Sequence, residues 1–164
     1  MCRYTIVRVE SIDELRENIE EKNIYFSDNI YNRFDEIYLN GEKICGLVYY
    51  DYGISVKYYI DVINLRGFIG FGKKIICIDN KGKLYFEEEL DSIFYELQPV
   101  SFGQFLIVIC ELDVYCFNYE RLIWKIGFKD IVSDFNIIDN DTIEIISNEK
   151  DSFIFKVSNG VLLS

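Results

Sequence analysis

The chain has 164 residues, half of them apolar, and sets 28 Asp and Glu against 17 Lys and Arg for a formal charge of −11. Its size and apolar share suit a single domain, residues 1–164, with its own core. It contains no histidine, which excludes Ser-His-Asp and Cys-His catalysis and removes the side chain that most often moves protons near neutral pH.

In chain order, residues 3–9 read as a first strand. Ser11 and Glu14 then fit a capping box, and Ile12, Leu15 and Ile19 follow at helical spacing, which predicts one short amphipathic helix ending near Asn23. Its acids, Asp13, Glu14, Glu17, Glu20 and Glu21, read as a solvated face. After a turn at Ser27-Asp28-Asn29, strands are predicted at 34–39 and 43–50. They are joined by Asn40-Gly41, a pair suited to a tight turn with positive φ. A turn at Asp51-Tyr52-Gly53 leads to a strand over 54–63, where Tyr58 to Ile63 is too apolar for one wet face. The part up to residue 67 therefore reads as strand, helix and hairpin.

From Phe68 to Ser164 hairpins recur. Strands at 74–79 and 83–86 flank Asn80-Lys81-Gly82; strands at 105–110 and 114–117 flank Glu111-Leu112-Asp113; strands at 142–147 and 152–157 flank a polar turn. The spacing of these copies, roughly 32 to 36 residues, implies stacked or radial repeats whose faces are buried by neighbours. Leu122 to Ile126 and Asn159 to Leu163 each read as a short outer strand following a turn. The fold class is thus mainly β, antiparallel sheets from repeated hairpins, propeller-like or sandwich, with one N-terminal helix.

Val114-Tyr115-Cys116-Phe117, Arg121 to Lys125 around Trp124, Asp130 to Phe135, and Phe153 to Gly160 together resemble quinoprotein-type β-propeller repeats over residues 68–164. The pattern departs where Tyr119-Glu120-Arg121 replaces the glycine before Trp124, and its copies fall short of a closed propeller. The N-terminal part either supplies a further blade or the sheets pack as an open sandwich. The resemblance concerns strand packing and implies no quinone; Trp124 is expected to be a buried anchor between sheets. No cofactor is predicted.

Cys2, Cys45, Cys77, Cys110 and Cys116 are odd in number, form no C-x-x-C, and fall mainly in apolar strands. They read as reduced core residues rather than metal ligands, with a Cys110–Cys116 bridge across a hairpin as the alternative. No apolar run reaches the length of a membrane span and the start shows no secretion signal, so a cytoplasmic protein without a membrane partner is expected. Gly70-Phe71-Gly72-Lys73-Lys74 has the look of a phosphate loop but leads into a strand, and reads as a turn. Asp134, Asp139, Asn140 and Asp141 lack the spacing of an EF-hand.

The charge disfavours nucleic acid, since no basic run exceeds Lys73-Lys74, and points to one basic protein partner. In general character the chain resembles small bacterial immunity proteins, which implies a non-catalytic inhibitor that neutralises a cationic toxin domain through acidic surface. Asp51, Tyr52, Glu87, Glu88, Glu89 and Asp91 are the candidate contacts, as turn acids and a tyrosine anchor. The alternative is a structural β-repeat scaffold in a larger assembly. A third reading, a carboxylate-based hydrolase, rests on Glu87 to Asp91, which read otherwise as one solvated loop.

Overall fold

The structure is a computed structural model and describes residues 3–164; Met1 and Cys2, with the reading of Cys2 as a core thiol, lie outside it. The described chain is gathered into four sheets, three of them short antiparallel meanders. Within these meanders, connections of a few residues between consecutive strands leave little choice but to pair neighbours antiparallel. Contacts divide the chain into two compact units, one ending at Glu89 and the other spanning Leu90–Ser164.

In the first unit, β1 (Tyr4–Val9), β2 (Ile24–Phe26), β3 (Arg33–Leu39) and β4 (Glu42–Tyr49) form a sheet in the order β1-β3-β4-β2, with β2 parallel to β4. The β3–β4 hairpin turns on Asn40 (φ 53°) and Gly41 (φ 89°), the left-handed pair expected from sequence. β5 (Lys57–Asp61), β6 (Arg66–Phe71), β7 (Lys74–Ile78) and β8 (Leu84–Glu89) follow as a simple meander. Gly67 and Phe68, where the repeats begin in the sequence reading, are consecutive residues of β6.

Between these two sheets lie Ile37, Leu47, Tyr49, Ile69, Phe71 and Ile76, among others. The far face of the first sheet is covered by α1 (Ile12–Asn18), which sets Leu15 and Ile19 against Val9, Ile24 and Val48. Gly46 makes room for it, since a Cβ there would stand 3.2 Å from both Ile19 Cδ1 and Leu15 Cδ2. Ser11 Oγ accepts from the Glu14 amide at 3.3 Å, and Glu14 Oε2 accepts from the Glu10 amide at 2.9 Å. This is the capping box moved one residue outward on its return leg.

The second unit repeats the scheme. β9 (Phe94–Val100), β10 (Phe105–Cys110), β11 (Asp113–Phe117) and β12 (Leu122–Gly127) form one sheet, and β13 (Val132–Asp139), β14 (Thr142–Ser147) and β15 (Ser152–Lys156) the other. Residues 161–164 return along β15, with Lys156 N donating to Val161 O at 2.9 Å and Leu163 N to Ile154 O at 2.6 Å. The second unit's core sets Ile107, Ile109, Val114 and Cys116 against Ile143, Ile145, Phe155 and Val157. β7, β10 and β11 are central strands, buried along nearly their whole length. The unbroken apolar run of β10, and the near-continuous ones of β7 and β11 after Lys74 and Asp113, follow from cover on both faces. Pro99 sits in β9, an edge strand, where a missing amide costs no ladder bond.

Several boundaries differ from expectation. The predicted strand over 54–63 shortens to β5; Val62 and Ile63 belong to a turn and are exposed, because the buried Asp61 carboxylate accepts from the Ile63 and Asn64 amides and bends the chain there. The helix stops at Asn18 and a separate 3-10 turn holds Glu21–Asn23. The acidic run at 87–89 is the end of β8 rather than a loop. Cys45, Cys77, Cys110 and Cys116 are buried free thiols, so no Cys110–Cys116 bridge forms.

Candidate functional site

The acidic run shows why composition is a poor guide to a site. Alternation along β8 turns Glu87 and Glu89 to one face and Glu88 to the other. Glu87 and Glu89 bracket Lys74 on β7, at 2.9 Å and 2.7 Å from its Nζ, while the Lys74 side chain is only 8% exposed. Burial pulls the Lys74 pKa down, but its bonds to Glu89 and Glu87 outweigh that and leave it above the ordinary value. Two of the three glutamates are thus counter-ions for a buried lysine. Asp91 belongs to the second unit, where its carboxylate holds Lys125 Nζ at 2.5 Å and its amide donates to Tyr115 Oη at 2.8 Å.

Asp51 and Tyr52 lie in the loop after β4 and lead to a more coherent surface. Asp51 Oδ2 accepts from Arg33 Nη1 at 3.2 Å and Oδ1 from the Gly53 amide at 2.8 Å. Arg33 in turn donates to the fully buried Asp35, which also accepts from Tyr49 Oη. Asp51 is therefore the outer end of a polar chain that reaches into the first sheet. Its carboxylate positions the loop.

Tyr52 packs on Tyr50, ring centroids 5.0 Å apart, and its hydroxyl donates to Asp28 Oδ1 at 3.3 Å. Asp28 stands at φ 69° in the turn after β2, with Ser27 Oγ donating to its other oxygen. Ser27 Oγ also accepts from the Lys73 amide, so the β6–β7 turn is stitched to the same place. Together Asp28, Asn29, Ile30, Tyr50 and Tyr52 line a shallow depression of about 470 Å³. Ile30 is 73% exposed there and offers apolar surface to the depression.

Two features give this depression its chemistry. The Asp28 carboxylate takes hydroxyl donors but no cation among the described residues, leaving its charge available. The Tyr52 ring already faces one cation, Lys73 Nζ at 5.8 Å from its centroid. Burial and the nearby Asp28 raise the Tyr52 pKa, which keeps the phenol protonated and donating. The depression is suited to an apolar anchor beside a lysine or arginine. Sequence reasoning named Asp51 and Tyr52 but not Tyr50, Asp28 or Ile30; the turn at Ser27-Asp28-Asn29 was legible, its position beside Tyr52 was not.

In the second unit, Trp124 is an anchor between sheets, though half-buried rather than buried as expected: its Nε1 donates to Val157 O at 2.6 Å, and Gly160 (φ 70°) lies flat against its ring. Among the described residues, no helix is long and apolar enough to cross a membrane.

No protein-family model and no curated protein matches the chain. Solved structures do. BamB from Moraxella catarrhalis is similar with a TM-score of 0.56 and 13% identity, over 98% of this chain and 50% of that one. A chain in the crystal structure of the mitotic checkpoint complex gives a TM-score of 0.56 at 9% identity, over 80% of this chain and 45% of the other. The Cps50 (Swd1) β-propeller domain of Myceliophteria thermophila gives 0.53 at 12%, over 65% and 39%. This chain spans half the length of these neighbours or less, and what it shares with them is the fold: mainly β, in successive propeller-like sheets.

Proposed function

We propose that the chain is a non-catalytic β-repeat binding module that serves as a scaffold element in a larger assembly and works in the cytoplasm. The propeller-like sheet array carries this reading: rigid meanders present loops and edges to partners while their faces are spent on packing. The depression at Tyr50, Tyr52 and Asp28 is the docking point, and a basic protein segment its occupant, in keeping with the −11 charge. Toxin neutralisation draws no support from the structural neighbours and stands second; the surplus of acids is what favours it.

The test is site-specific photo-crosslinking from position 50 in living cells, with position 144, on β14 of the second unit, as control. A defined partner adduct at position 50 is expected, with lysine or arginine near the crosslinked residue. Asp28→Lys should then weaken the purified pair about tenfold, the loss expected for one reversed contact worth roughly 1.4 kcal/mol. Adducts from position 144 alone, or an affinity indifferent to Asp28→Lys, would remove the depression from consideration.

A further inference from the structure

The second unit carries a trough that the tyrosine–acid depression leaves out of account. Its floor is aromatic: the Phe128 ring lies 5.5 Å from that of Phe153 and 6.0 Å from that of Phe155. Alternation along β15 puts Phe153 and Phe155 on one face, and Leu162, 54% exposed, closes a side. The volume is about 530 Å³, framed by the end of β12 with the residues after it and by the β14–β15 turn.

Charge around this floor is one-sided. Asp130, Glu149 and Asp151 face a single base, Lys129. The Asp130 carboxylate is occupied, accepting from the Ile131 and Glu149 amides at 2.8 Å each. The carboxylates of Glu149 and Asp151 accept no hydrogen bond and meet no cation among the described residues. Two unpaired acids beside an apolar floor select against an acidic ligand, because crowding like charges over a low-dielectric surface is costly. They favour a ligand that brings its own positive charge to the rim.

We propose that this trough docks a short peptide segment of a protein partner, with an apolar side chain seated on Phe128 and Phe153 and flanking lysine or arginine facing Glu149 and Asp151. The inference extends the binding-module reading to a second surface but stands on separate residues, so the two fail separately.

The probe is a fluorescein-labelled heptapeptide with a central phenylalanine between paired lysines, titrated onto the full chain at low salt by fluorescence polarisation. Its glutamate counterpart and its alanine-centred version run in parallel. Saturable binding of the lysine peptide is expected, at least tenfold tighter than either companion. The double variant Glu149→Lys, Asp151→Lys should lose it by about tenfold or more. The Glu149→Gln, Asp151→Asn variant should lose part of it, which covers the case where charge reversal perturbs the fold. Tyr52→Ala should leave it intact, which separates this surface from the first. Equal binding of the glutamate peptide, indifference to both rim variants, or absence of saturation would overturn the proposal. So would a dimer dissolved by Leu162→Lys in sedimentation, since a second copy would then be the occupant.

Discussion

Replacing Tyr49 with phenylalanine isolates one hydrogen bond in the first sheet. Tyr49 is 2% exposed, and its hydroxyl donates to Asp35 Oδ2 at 2.5 Å; Asp35 is fully buried, with Arg33 Nε 3.1 Å from its other oxygen. The substitution keeps the ring and its 5.6 Å edge contact with Phe71, so no cavity opens. What is lost is a donor to a buried carboxylate, in a place water does not reach. Such bonds contribute about 1.5–3 kcal/mol, against about 1 kcal/mol for a bond to a neutral acceptor. Tyr25→Phe supplies that comparison, since Tyr25 Oη donates at 2.7 Å to the carbonyl of Gly82. For a chain of this size each kcal/mol moves Tm by roughly 2–4 °C, so Tyr49→Phe should melt about 3–12 °C lower and Tyr25→Phe about 2–4 °C lower. Thermal melts followed by fluorescence measure both. If Tyr49→Phe costs no more than Tyr25→Phe, Arg33 alone holds Asp35, and the argument that the chain Tyr49–Asp35–Arg33–Asp51 props the tyrosine depression fails.

Gly160→Ala should destabilise by about 1–3 kcal/mol, because the new Cβ meets Trp124 Cγ at 2.8 Å and the backbone is left-handed there. The single tryptophan should shift its emission to the red as its Nε1 bond to Val157 O loosens; an unchanged spectrum and melt would contradict the anchor. Burial pushes the Cys77 and Cys116 thiols up to about 12, and Cys45 and Cys110 upward as well. In a Cys2→Ser background, a disulfide reagent at pH 8 should therefore label the folded chain only as fast as it unfolds. Rapid labelling of even one thiol would show an open path to the core. Burial alone would raise the Asp141 pKa, but the Ser158 amide and hydroxyl and Lys156 outweigh it, and the net shift is downward. Its stabilisation is then present above the ordinary carboxyl pKa and lost as pH falls through the lower folded value. Asp141→Asn should cost more at pH 6 than at pH 3; an equal cost at both would show that charge has no part in it.

Short-range features of this protein were legible in its residues. The Asn40-Gly41 turn, the Ser11 cap, the unbroken β10 run and the hairpin rhythm all rest on φ preference, capping and local patterning, which operate over a few positions. That rhythm also carried the propeller-like resemblance. Other features required the folded chain. The acids of β8 look like a site until Lys74, 13 residues earlier, is found between Glu87 and Glu89. The tyrosine depression joins the turn after β2 to the loop after β4, and Trp124 meets a carbonyl 33 residues away. The N-terminal part reads as strand, helix and hairpin, and its gathering into a four-stranded sheet required the folded chain, because a parallel β2 and the cover of α1 depend on which strands meet. Local propensity determined where strands and turns fall; pairing across tens of residues decided which charges are neutralised within the fold and which, such as those of Asp28, Glu149 and Asp151, are left facing outward.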